Sequence, residues 1–144
     1  MLYGDKERLS FTFVVPAKPE LLNRVEELGI KGEITFLGNL SADALEEEYA
    51  QARFLWVHSI DEGFCLPIVE ALIKGIPVLV SDIPSLRELW MEHVDYINPF
   101  NRYEAAKMLY AYLKKNRKDV DNPRLPLYEI SRCADGIWSA LGLE

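Results

Sequence analysis

Asp61-Glu62-Gly63-Phe64-Cys65-Leu66-Pro67-Ile68-Val69-Glu70-Ala71 is the stretch whose reading decides the fold. Two carboxylates with seven residues between them bracket a Gly-Phe-Cys-Leu-Pro loop that opens a helix. Pro67 suits the first helical position, where its missing N–H costs nothing. The first turn aims free N–H groups and the positive end of the helix dipole back at the loop, which makes an anion site. Glu70 is expected about one turn into that helix, with Glu62 on the loop at its mouth. The layout suits a ligand with a phosphate in its middle and hydroxyls at both ends, the chemistry of a nucleotide sugar. A carboxylate accepts two hydroxyl protons from a vicinal diol and repels a phosphate, so the acids belong at the ends. Taken singly, either glutamate is also ordinary local chemistry, since the dipole favours first-turn acids and Glu before Gly is turn composition.

Outward from that segment, short and nearly continuous apolar runs alternate with helical patterns. This is the signature of a parallel sheet buried on both faces. Strands are expected at Phe11–Val15, Ile34–Leu37, Phe54–His58, Pro77–Ser81 and Tyr96–Ile97. Pro19–Leu28 reads as a helix stopped by Gly29. Ser41 reads as an N-cap, with Leu40 and Leu45 as a hydrophobic staple and Leu45, Tyr49 and Ala52 as the buried stripe. Ser85-Leu86-Arg87-Glu88 has the form of a capping box. Tyr103, Ala106, Tyr110 and Leu113 are expected to form the core face of a helix ending near Lys118. A polar connector from Asp119 to Pro126 and an amphipathic helix to Leu141 complete the pattern. The expectation is one α/β domain over residues 1–144, a doubly wound parallel sheet with its ligand crevice at the carboxyl ends of the strands.

The Glu62–Ala71 segment resembles the E-x7-E motif of retaining glycosyltransferases with the GT-B fold, the family that builds bacterial glycolipids, capsules and O-antigens. The usual wording there is E-G-F-G-L-P-x-x-E-A, and this chain departs from it only at Cys65, where glycine is usual. Ile34-Thr35-Phe36-Leu37-Gly38 is similar to the family's strand and glycine before the donor base. Lys74-Gly75-Ile76-Pro77-Val78-Leu79-Val80-Ser81 is similar to its G-x-P-V-V-x-S strand. The resemblance spans about residues 9 to 143 and implies the C-terminal, donor-binding half of a GT-B fold, Rossmann-like in topology. Against that family the acceptor-binding domain is absent. Leu9–Val15 corresponds to the second strand, so the first strand is missing, with the Arg and Lys that follow it and neutralise the diphosphate. In the order 3-2-1-4-5-6 that strand is central. Either its two neighbours pair directly or another chain supplies backbone, because buried unpaired peptide groups cost about 1–3 kcal/mol each.

The resemblance also implies site roles. Glu62 holds hydroxyls of the donor sugar and is the catalytic position. The backbone N–H groups of Gly63, Phe64 and Cys65 face the sugar, and those around Leu66 face the phosphate. Glu70 takes the ribose hydroxyls. Leu37, Gly38 and Leu40 line the base, with ordinary core packing as the alternative for the leucines. The Cys65 side chain adds bulk that narrows the sugar pocket. A nucleophilic Cys65 is the weaker alternative, since no histidine sits at a pairing distance in sequence and packing explains it. His58 ends a strand aimed at the crevice and reads first as a satisfied strand-end histidine, second as a ligand contact. His93 reads as exposed, Trp56 and Trp90 as core aromatics, and Asp82 as a turn residue. No Asp-x-Asp cluster suggests a metal, and no cofactor is implied beyond a UDP- or GDP-sugar donor.

Composition narrows the alternatives. The chain has 144 residues, 49% of them hydrophobic and 27% charged, the profile of an ordinary globular domain. A net charge of −7 excludes nucleic acid or an anionic lipid surface as a general partner. The basic run Lys114, Lys115, Arg117 and Lys118 fits the end of a helix better than a binding patch. Cys65 and Cys133 have neither metal nor disulfide spacing. With no secretory signal and no apolar stretch of membrane-spanning length, a cytoplasmic protein is expected. Two functions follow. The first is the donor domain of a retaining, metal-independent hexosyltransferase, inactive alone; the second is a non-catalytic nucleotide-sugar-binding or assembly subunit. A sugar epimerase or phosphorylase of GT-B type is a third. The missing strand predicts a homodimer or a partner carrying the other half.

Overall fold

A computed structural model of the chain describes residues 10–114. Its contacts separate two compact units that part between Glu48 and Tyr49. The first unit holds β1 (Phe11–Phe13), α1 (Pro19–Glu27) and β2 (Ile34–Phe36), and α2 (Ala42–Gln51) runs across the boundary. The second unit continues with β3 (Leu55–Val57), α3 (Leu66–Ile73), β4 (Val78–Ser81), α4 (Pro84–Trp90), β5 (Asp95–Ile97) and α5 (Arg102–Lys114). The expected connector at 119–126, the helix reaching Leu141, and Cys133 lie outside the described residues.

In the first unit β1 and β2 pair in parallel, Phe11 opposite Ile34 and Phe13 opposite Phe36. The Phe13 and Phe36 rings stack with centroids 5.3 Å apart. The helix α1 ends as its sequence requires. Gly29 takes φ +67°, its N–H donates to Glu26 O, and Ile30 N–H donates to Val25 O, the paired bonds of a Schellman turn. Ser41 caps α2, its Oγ accepting the Ala44 N–H at 3.3 Å. Burial on both faces, expected for every strand, is not found here. Phe13, Val14 and Val15 stay exposed, and α1 buries no residue.

The second unit carries the core. Its three-stranded parallel sheet has the order β3-β4-β5, so β4 is central. Leu55 stands opposite Val78, and Ser81 opposite Ile97. All four residues of β4 are buried, which is why this run is continuously apolar up to Ser81. Leu79 and Ile97 pack with Ala105 and Tyr112 of α5, ringed by Phe54, Trp56, Met108 and Leu109. Each such buried aliphatic side chain contributes about 1.5–3 kcal/mol. The helix α3 packs against β3 and β4 with Ile68, Ala71 and Leu72 buried. It closes on Gly75 at φ +64°, where the Gly75 and Ile76 N–H groups donate to Leu72 O and Ala71 O.

Two local expectations are corrected. The face of α5 predicted from Tyr103, Ala106, Tyr110 and Leu113 is rotated: Ala105 and Tyr112 are buried, whereas Tyr103 is 78% exposed and Tyr110 50%. Asn101 sets that phase, its Oδ1 accepting the N–H groups of Tyr103 and Glu104. Ser85 is not a cap either. The helix α4 starts at Pro84 after an extended Ile83, with no side-chain cap, because Pro presets the first helical φ and lacks the N–H a cap would satisfy.

Candidate functional site

The strands of the second unit are parallel, so their carboxyl ends share one edge of the sheet, and the 58–65 loop leaves from it. The loop turns into α3 at Cys65, whose φ 56° and ψ 73° are left-handed. A glycine adopts that conformation without strain, whereas a side chain pays for it in Cβ crowding. The departure of Cys65 from the usual glycine is therefore a departure in backbone freedom as well as in bulk. Leu66 is the first helical residue and Pro67 the second, one position later than expected. Among the described residues, the backbone N–H groups of Gly63, Phe64, Cys65 and Leu66 have no hydrogen-bond acceptor. They gather at the positive end of the α3 dipole, where a negative group is favoured.

Each glutamate is held by a hydroxyl on one oxygen. Ser59 Oγ donates to Glu62 Oε1 at 2.7 Å. The Tyr49 hydroxyl donates to Glu70 Oε2 at 2.8 Å. Among the described residues the other oxygen of each carboxylate has no partner, which leaves it to accept from a ligand. Sequence reasoning missed both supports. Ser59 lies three residues before Glu62, a spacing that could have been noticed; Tyr49 lies 21 residues before Glu70 and gives no local signal.

Burial pushes the Cys65 thiol up, and the negative charge of Glu62 adds to it, against a weaker opposing hydrogen bond from the Ile68 N–H. Cys65 is thus held as the neutral thiol, the opposite of what a nucleophile needs. The Phe64 ring lies 5.4 Å from that of Trp90, which is buried as expected. His58 is exposed, its ring 5.1 Å from Trp56. Both line an open cavity of about 540 Å³ with Pro99, Phe100 and Arg102. Trp56 is thereby a cavity wall as well as a core aromatic. Asp82 does more than turn the chain: Arg87 grips it at 2.5 and 2.7 Å and lies 4.2 Å above the Tyr96 ring.

The structure brings Glu62, Gly63, Phe64, Cys65, Leu66 and Glu70 together on one loop and helix start. Leu37, Gly38 and Leu40 belong to the other unit, just past the carboxyl end of β2. There the Leu37 N–H donates to Phe13 O and the Gly38 N–H to Val15 O. Among the described residues no group of three His, Cys, Asp or Glu could hold a metal ion, and no helix is long and apolar enough to cross a membrane.

Comparison with known proteins agrees with this geometry. The family model described as Glycosyl transferases group 1 matches residues 12–124. The O-antigen chain mannosyltransferase RfbU of Salmonella typhimurium is 40% identical over 79 residues, which are 55% of this chain and 22% of that protein. The serotype-specific mannosyltransferase WbdA of Escherichia coli is 37% identical over 81 residues, 56% of this chain and 10% of that protein. The chain thus matches less than a quarter of the length of either relative. Among solved structures, the C-terminal domain of the group 1 glycosyl transferase LpcC from Francisella tularensis superposes with a TM-score of 0.61 at 22% identity. The match covers 72% of this chain and 56% of that one. Anabaena HepE in complex with UDP gives a TM-score of 0.72 at 21% identity, over 92% of this chain and 41% of that one. At such identity these structures speak for the fold alone. That fold is α/β and Rossmann-like, the C-terminal half of a GT-B fold.

Proposed function

The chain belongs to the glycosyl transferases group 1 family, and from that premise we propose that residues 1–144 are the donor-binding domain of a retaining, metal-independent transferase. It moves a hexose, of the mannose type, from a UDP- or GDP-sugar to a glycan or glycolipid acceptor in the cytoplasm. The observation that carries this reading is the run of four unsatisfied N–H groups, Gly63 to Leu66, between two carboxylates each pinned by a hydroxyl. The N–H groups and the α3 dipole favour the diphosphate, most of all as it leaves with its full charge. Glu62, steadied by Ser59, accepts from hydroxyls of the sugar. Glu70 accepts from the ribose diol. Leu37, Gly38 and Leu40 are assigned to the base. The names of the mannosyltransferase relatives support the mannose type.

Calorimetry with UDP and with GDP tests the reading. One of them binds, and Glu70→Ala weakens it by about 1–3 kcal/mol, the value of a hydrogen bond to a charged group. Equal binding by the variant removes Glu70 from the site. The isolated chain transfers no sugar at a useful rate under this reading; robust turnover abolished by Glu62→Ala would show that it needs no second domain.

A second reading, a non-catalytic subunit that binds nucleotide sugar beside a partner chain, draws on the first unit. Phe13, Val14 and Val15 of the β1 region and Leu21, Leu22 and Leu28 of α1 are all exposed. Covering that apolar surface with a second copy or a partner contributes about 25 cal/mol per Å². A light-scattering mass of a single 16.5 kDa chain at high concentration excludes the homodimer.

A further inference from the structure

We infer that Tyr49 is a positioning residue for the nucleotide, acting through Glu70. The inference rests on the reading of Glu70 as the ribose-binding carboxylate. Tyr49 stands in the last turns of α2 and is only 8% exposed. A phenol that buried needs an acceptor for its O–H, and the acceptor here is Glu70 Oε2 at 2.8 Å. The bond joins two helices, so the carboxylate is fixed by more than the rotamers of its own side chain. An unheld glutamate on a half-exposed helix face would spread over several rotamers and lose that freedom on binding.

The arrangement is also electrically suited to the task. Lys74, one turn further along α3, lies 5.6 Å from the centroid of the Tyr49 ring. A cation over the ring draws electron density from the phenol and makes its O–H a better donor. A carboxylate has about four acceptor positions, and Tyr49 uses one of them. Oε1 therefore keeps its acceptor sites, and Oε2 keeps one, at a fixed spacing. Two oxygens at that spacing fit the two hydroxyls of a vicinal diol, one to each. Tyr49 thus serves the discrimination of a ribonucleotide from a nucleotide without the diol.

The test is calorimetry with UDP and with 2′,3′-dideoxyuridine diphosphate on the unaltered chain, Tyr49→Phe, Glu70→Ala and the double variant. Tyr49→Phe weakens UDP about tenfold, as loss of a charge-assisted hydrogen bond does, and leaves the dideoxy compound within about twofold. In the Glu70→Ala background Tyr49→Phe has no further effect on UDP beyond about twofold. If Tyr49→Phe is too unstable to purify, Tyr49→Met, which refills the volume with a flexible side chain, takes its place. Equal weakening of both nucleotides would make Tyr49 a structural residue and overturn the inference. So would unchanged UDP binding by Tyr49→Phe while Glu70→Ala binds weakly. Unchanged binding by Glu70→Ala, or no binding by the unaltered chain at millimolar nucleotide, overturns instead the site reading, and the inference with it.

Discussion

The Ser59 hydroxyl donates a 2.7 Å hydrogen bond to Oε1 of Glu62 across three residues, so the loop carboxylate is held by its own loop. That bond is partly buried and involves a charged acceptor, which places it at the stronger end of side-chain hydrogen bonds. Losing it frees Glu62 without touching the N–H groups that follow.

Ser59→Ala is therefore expected to weaken a nucleotide sugar more than the bare diphosphate. The loss for the sugar nucleotide is about 1 kcal/mol, and the thermal midpoint moves by only a few degrees. Calorimetry of UDP-sugar or GDP-sugar against UDP or GDP checks it. An equal loss for both ligands would mean that Ser59 supports the loop as a whole and not Glu62.

Cys65 gives a ranking. At φ 56° a residue without a Cβ is relieved of about 1 kcal/mol of crowding, part of which returns as chain entropy in the unfolded state. Cys65→Gly is expected to be at least as stable as the natural chain. Cys65→Val, branched at Cβ, should lose about 1–3 kcal/mol. Urea unfolding of the three proteins orders them. A valine variant as stable as the glycine variant would show that the left-handed turn is not what this position demands.

A third expectation follows from the phase of α5. Leu79→Ala should cost about 2–5 kcal/mol by opening a cavity in the core. Tyr112→Phe should cost about 1–2 kcal/mol by stranding the Asp95 carboxylate that its hydroxyl meets. Tyr103→Ala and Tyr110→Ala lie on the exposed side and should stay within about 0.5 kcal/mol. A large loss at Tyr103 would restore the face predicted from sequence.

That rotated face marks where sequence reasoning ended. The central strand was legible because a run buried on both faces has a composition of its own, and Pro77–Ser81 has it. Gly29 and Ser41 were legible because capping chemistry is local. The phase of α5 was not, because Tyr103, Tyr110 and Tyr112 are equally apolar in a periodicity count; packing against Leu79 and Ile97 chose among them. At the site, Glu62, the N–H run and Glu70 were readable from seven-residue spacing and a helix start. Their supports were only half readable. Ser59 is a neighbour in sequence, but Tyr49 reaches Glu70 through the packing of two helices, and no local pattern encodes that.

Arg87 holds the Asp82 carboxyl below the usual carboxylate range, chiefly through their hydrogen bonds. The folded protein therefore takes up that proton at a lower pH than the unfolded chain. The pair adds stability above about pH 4 and loses it as the pH falls through the lowered folded value. Both side chains are well exposed, so the contribution is screened and stays under about 1 kcal/mol. Asp82→Asn should be slightly less stable than the natural chain at pH 7 and equal to it near pH 2.5, by urea midpoints. The same deficit at both pH values would mean that the charge of Asp82 contributes nothing.

The central place of β4 has a kinetic consequence. Its amides and carbonyls are laddered to β3 on one side and to β5 on the other, so no single edge can fray to expose them. Exchange of those amides with solvent deuterium must await the opening of the whole three-stranded unit. The Gly63–Leu66 amides, bonded to nothing in the protein, exchange at nearly the rate of an open chain. The molecule thus keeps its slowest and its fastest protons on the two sides of one short helix, α3. Deuterium uptake at the fast end would report an arriving anion directly, by slowing, while the slow end stands as an internal clock.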